Sequence, residues 1–130
     1  MNKYLVFVSL AGIGSFTLFL FGGWDYLLMV LMALVVIDYI TGVLAAFVQK
    51  RLASQIGFKG IAQKIFIFTL VATANFIDTL LWDQSLIRDA TILFYIVNEI
   101  ISIIENAGIV GLPVPEFLLK AIALLKDRIK

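Results

Sequence analysis

From Tyr4 to Gly23 the chain carries no charged residue. A helix of about 20 residues reaches roughly 30 Å, one hydrocarbon thickness. Comparable blocks recur from Tyr26 to Val48, from Ile65 to Trp82 and from Ile87 to Ile104. Gly22 to Tyr26 and Trp82 to Ser85 form short turns between them, and Gln49 to Lys64 forms a basic hairpin with a short polar link from Ser54 to Gly60. A bilayer leaves no water for backbone amides and carbonyls, so predominantly apolar blocks of this length must close their hydrogen bonds internally as helices, even though the second to fourth each carry one or more charged residues. Composition agrees. The chain is 62% hydrophobic and 15% charged, against about 45–50% and about 25% in a soluble domain. The expected fold class is an all-α membrane protein with four transmembrane helices plus a C-terminal amphipathic helix. It forms one domain over residues 1–130, with spans at about 4–23, 26–48, 65–82 and 87–104 and an interfacial tail at 115–130.

The first block also has the look of a signal peptide, because Lys3 precedes it. Its apolar run exceeds the usual 7–15 residues and no small-x-small cleavage site follows, so a retained span is expected. Ala11, Ser15 and Gly22 lie near one face of it, beside Gly12 and Gly14. Such small residues let helices approach closely, although glycine is frequent in membrane helices anyway.

Several functions are disfavoured. Cys and His are both absent. That excludes disulfides, cysteine metal sites, the usual general base and the commonest metal ligand. Net charge is +1 and the cations sit in short clusters, so nucleic acid is not an expected partner. No nucleophile lies with a base, and no phosphate loop or metal cluster is present. No catalytic residue, metal or cofactor is expected. Asp38 and Glu99 could in principle form a carboxylate pair, but no cofactor motif accompanies them.

Orientation follows from the cations. Lys3, the hairpin residues Lys50, Arg51, Lys59 and Lys64, and the tail residues Lys120, Lys126, Arg128 and Lys130 supply nine of ten Lys and Arg residues. Four spans put all nine on one side. Arg88 falls opposite, beside Asp83 and Asp89, with Trp24 and Trp82 at that same interface. The positive-inside rule and the aromatic belt then place both termini and the hairpin in the cytoplasm. A three-span path, with the fourth block flat or packed on a cytoplasmic face, would separate the termini. The tail has an apolar stripe of Leu118, Ile122, Leu125 and Ile129 flanked by cations. It suits a helix lying on an anionic leaflet, or a solvated tail packed on a partner.

Charge in mid-membrane is costly, about 2.5–3.5 kcal/mol per group. Asp38 and Glu99 both fall there. Asp38 shares a helical face with Thr41, Gly42, Ala45 and Gln49. Glu99 shares one with Tyr95, Asn98, Ser102, Glu105 and Asn106. Stripes of this kind either form a buried ladder, in which Lys64 or another cation neutralises a carboxylate, or line water in an assembled state.

Two strings carry a resemblance. One is Asp38-Tyr39-Ile40-Thr41-Gly42, continued by Ser54, Gly57, Gly60 and Lys64. The other runs from Asn98-Glu99 through Glu105-Asn106 to Gly108, then Gly111-Leu112-Pro113-x-Pro115, and is the more specific. Together they resemble the phage-lysis and toxin-secretion holins of Gram-positive bacteria and their phages. Val97 and Ile104 depart mildly from that pattern, and the first block matches in hydrophobicity alone. The resemblance implies a protein of the bacterial cytoplasmic membrane that oligomerises and opens lesions, through which a cell-wall hydrolase or a toxin leaves. The alternatives are a membrane scaffold without a pore and a small four-helix multidrug transporter. The latter keeps a carboxylate in its first helix, where this chain has none.

Overall fold

A computed structural model describes residues 2–51 and 54–129, the side chains of residues 55, 56 and 129 excepted. The described residues form five helices: α1 (Lys3–Phe21), α2 (Tyr26–Val48), α3 (Ser54–Leu81), α4 (Leu86–Ile109) and α5 (Glu116–Ile129). The first four run up and down, joined by short turns.

Local chemistry sets the ends. The Asn2 side chain accepts the Tyr4 N–H at 3.0 Å and starts α1. Gly22 stops α1 in the left-handed region, at φ 79°, a conformation glycine adopts without steric penalty. Three residues later Asp25 caps α2, with its Oδ1 accepting the Leu28 N–H at 3.1 Å. The expected Gly22–Tyr26 turn is therefore present. Pro115 lies just before α5, and its carbonyl accepts from Leu118 and Leu119 at 3.1 and 3.3 Å.

Helix α4 is the hub, packing on α2, α3 and α5. Leu28, Leu31 and Val35 of α2, Ile67 and Val71 of α3, and Ile92 and Ile96 of α4 form the core. Helix α1 packs on α3 and buries none of its own residues. Large apolar side chains cover the outside, including Phe7, Phe16, Ile40, Phe47, Phe66 and Leu80. Water would oppose so much exposed apolar surface, whereas lipid matches it. Four helices are long and apolar enough to cross a membrane: Lys3–Phe21, Tyr26–Val48, Gly57–Leu81 and Leu86–Ile109. The protein is a multi-pass membrane protein.

Two boundaries differ from the sequence expectation. The third helix begins at Ser54 rather than at residue 65, so the expected polar link from Ser54 to Gly60 is its first two turns. Gly57 and Gly60 give that segment the look of a linker. Both lie against the Tyr39 ring of α2, near enough that a Cβ on either would be in van der Waals contact with it. The fourth helix continues past residue 104 to Ile109, carrying Glu105 and Asn106 inside it.

Helix α5 turns Ile122, 7% exposed, onto the end of α4 beside Ile101 and Ile104. Leu118 and Leu125 of the expected stripe stay partly exposed, at 39% and 37%. The Ile129 side chain and Lys130 lie outside the described residues.

Candidate functional site: a polar cluster inside the bundle

Asp38 lies ten residues before the end of α2, Lys64 ten residues after the start of α3, and Glu99 ten residues before the end of α4. At 1.5 Å per residue each sits roughly 15 Å inside the same end of the bundle. The three side chains meet there. The Lys64 ammonium donates to Asp38 Oδ2, and to both Glu99 oxygens at 2.9 and 3.0 Å. Asp38 is 4% exposed and Glu99 3%. One cation from α3 thus bridges carboxylates from the two other core helices.

The rest of the cluster joins α2 to α4. Ser102 Oγ donates to Asp38 Oδ1 at 2.7 Å. The Asn106 amide donates to Asp38 Oδ1 at 3.0 Å, to the Asp38 carbonyl at 3.2 Å and to Thr41 Oγ1 at 2.8 Å. Thr41 in turn donates to the Asp38 carbonyl at 3.1 Å. Gly42 faces Asn106, whose Nδ2 would be 3.7 Å from an added Cβ. Helical spacing explains the convergence: residues 38, 41 and 42 share one face of α2, and 99, 102 and 106 share one face of α4. A buried carboxylate without such donors would cost several kcal/mol.

The expected α4 stripe therefore divides. Glu99, Ser102 and Asn106 turn inward, while Asn98 and Glu105 are exposed. Lys64, counted with the hairpin cations and also named as a possible neutralising partner, lies inside the bundle in the second role. Lys50, Arg51 and Lys59 are exposed, and Lys59 borders a cleft of about 530 Å³ between α3 and α4 that reaches Asp38, Lys64 and Glu99. Gln49, placed on the Asp38 face by periodicity, is also exposed.

A second polar cluster closes the opposite end. Arg88, 2% exposed, donates through Nη1 and Nη2 to Asp25 at 2.8 and 3.0 Å, to Asp89 at 2.8 Å and to the Gly23 carbonyl at 3.2 Å. Its Nε donates to the Phe21 carbonyl. Asp78 of α3 accepts the Ile87 and Arg88 backbone N–H groups at 3.0 and 2.8 Å, and Trp82 Nε1 at 2.8 Å. It caps α4 from a neighbouring helix, because Ser85 at the N-cap position makes no capping bond. Asn75 donates to the Phe19 and Leu20 carbonyls at 3.2 and 3.0 Å, covering the end of α1. Outside the helices, the Arg88 hydrogen bond holds the Asp25 carboxyl below its usual range.

The sequence set Arg88 at the same interface as Asp83 and Asp89, without assigning it a partner. The structure pairs it with Asp89 and with Asp25. The available signal was Asp25 itself, an N-cap acid directly after a glycine turn that brings α1's open carbonyls alongside.

Four spanning helices tied by two internal polar clusters define a small multi-pass helical bundle. The pattern of the bacteriophage holin family matches residues 15–127, and the chain belongs to that family. An uncharacterized protein of Halalkalibacterium halodurans is 50% identical, covering 91% of each chain. One of Listeria monocytogenes is 47% identical over 92% of this chain and 84% of its own. One of Clostridium perfringens is 37% identical over 98% and 97%. No solved structure matches.

Proposed function

We propose that the protein is a working holin: it accumulates in the bacterial cytoplasmic membrane with both termini in the cytoplasm, oligomerises, and opens lesions that release a cell-wall hydrolase or toxin. The observation that carries this reading is the Asp38–Lys64–Glu99 cluster, ionisable groups held roughly 15 Å inside a membrane bundle. A scaffold gains nothing from them that apolar packing would not give, since buried ion pairs add little net stability. A protein that must later expose a wetted surface has a use for them. Closed, they satisfy one another. In a lesion, the same groups face water or sister copies. Lys64 is the cluster's tie to α3, and it borders the cleft between α3 and α4.

The test is induced expression in a bacterium that also makes a cytoplasmic cell-wall hydrolase. Growth is expected to stop abruptly, with hydrolase appearing outside and impermeant dye entering. Continued growth with intact membrane potential at high membrane abundance refutes the reading and favours a scaffold. Proton-coupled efflux without killing indicates a transporter.

A further inference from the structure

Asn98 lies at the middle of α4, halfway along a span, where its carboxamide is exposed and, among the described residues, makes no side-chain hydrogen bond. Gln63 of α3 is exposed across the same cleft and is likewise unbonded among them. In hydrocarbon such a group costs several kcal/mol unless something accepts and donates to it. The cleft near Asn98 continues into a second hollow of about 600 Å³, with Leu70 and Tyr95 bordering both. An open groove thus runs along α3 and α4, and no residue of α1 or α5 lines it.

We propose that this groove is the contact surface for a second copy of the chain, with Asn98 of each copy pairing near a two-fold axis. This rests on the oligomer invoked for the holin reading. A carboxamide both donates and accepts, so two facing Asn98 side chains satisfy each other reciprocally. A two-fold contact needs that self-complementarity. Lipid tails offer neither donor nor acceptor. Phe94, 49% exposed one turn from Asn98, and Leu70, 44% exposed, supply the apolar contact around the pair.

The absence of cysteine makes the test direct. Phe94→Cys and Leu70→Cys report on the groove, and Val36→Cys, 56% exposed on another face, is the control. In isolated membranes, oxidation is expected to link the two groove variants into dimers and to leave the control monomeric. Adding Asn98→Leu to Phe94→Cys should lower the linked fraction, through a fall in association of roughly 5- to 30-fold. Asn98→Gln should keep it. Equal linking of all three single-cysteine variants, or linking that Asn98→Leu leaves unchanged, overturns the proposal; so does an unlinked groove, which leaves lipid as its occupant. The assay does not depend on lysis. Lysis without groove linking refutes this interface alone, whereas groove linking without lysis refutes the holin reading and leaves the interface standing.

Discussion

Lys64 donates to both carboxylate oxygens of Glu99, at 2.9 and 3.0 Å, from a helix that meets α4 across an open cleft. The same ammonium reaches Asp38. Removing it leaves two buried carboxylates without their cation. Lys64→Met should therefore destabilise the bundle by about 3–5 kcal/mol, the usual penalty for breaking a buried ion pair from one side. The readout is thermal unfolding in detergent, together with membrane abundance. Adding Asp38→Asn and Glu99→Gln should recover much of the loss. If the triple variant is no more stable than Lys64→Met, charge imbalance is not the cause.

Asn106 and Asn98 occupy the same helix but opposite environments. Asn106→Leu strips donors from Asp38 and Thr41, and should cost about 1–3 kcal/mol of monomer stability. Asn98→Leu removes a polar group that makes no bond within its own copy among the described residues, and should leave the unfolding midpoint of the monomer unchanged or raise it. Similar destabilisation by both would mean that the stripe does not divide as described.

Gly22 holds a left-handed conformation with Asn75 directly over the position a Cβ would take. Gly22→Ala combines backbone strain of about 1 kcal/mol with displacement of the side chain that covers the end of α1. Faster proteolysis near residue 22 is expected, with little change around α2 and α4. An unchanged cleavage pattern would argue against this link.

Asp25 gives the clasp a pH dependence whose direction follows from its lowered pKa. The folded value lies below the unfolded one, near 3.8. Its contribution is fully present above about pH 5, and it fades as pH falls through the folded value. The unfolding midpoint should drop over that acid range, and Asp25→Asn should flatten the drop. Since the Asp25 side chain is 49% exposed, the effect should also shrink with added salt.

Orientation can be read with single cysteines. Gln84→Cys should react with an impermeant thiol reagent added outside intact cells, while Arg51→Cys and Asp127→Cys should react only after the membrane is opened. External labelling of Arg51→Cys before any leakage would reverse the proposed topology.

The four blocks were legible because long, predominantly apolar runs demand helices in a bilayer. Asp38, Thr41, Glu99, Ser102 and Asn106 were legible as faces, because helical spacing fixes which residues align. Periodicity does not say which edge of a face meets a neighbour, so Asn98 and Glu105 grouped with residues from which the fold separates them. Lys64 was legible as a possible neutralising cation but was also grouped with the loop cations, because Gly57 and Gly60 look like linker, and only Tyr39, far off in sequence, shows why those glycines sit in a helix. Asp78 escaped for a similar reason: a cap supplied by another helix leaves no local pattern.

Arg88 and its acceptors at Phe21, Gly23 and Asp25 are separated by 63 to 67 positions in sequence. During synthesis the end of α1 therefore emerges long before the guanidinium that binds it. A chain halted after three spans has Asn75 in place, but neither Arg88 nor the α4 amides that occupy Asp78. The clasp is complete only when the fourth span arrives, so a truncated product lacks the bonds that close that end. The fold thereby carries a mark of completion: the end of α1 is fully bonded only in a chain that has made its fourth span.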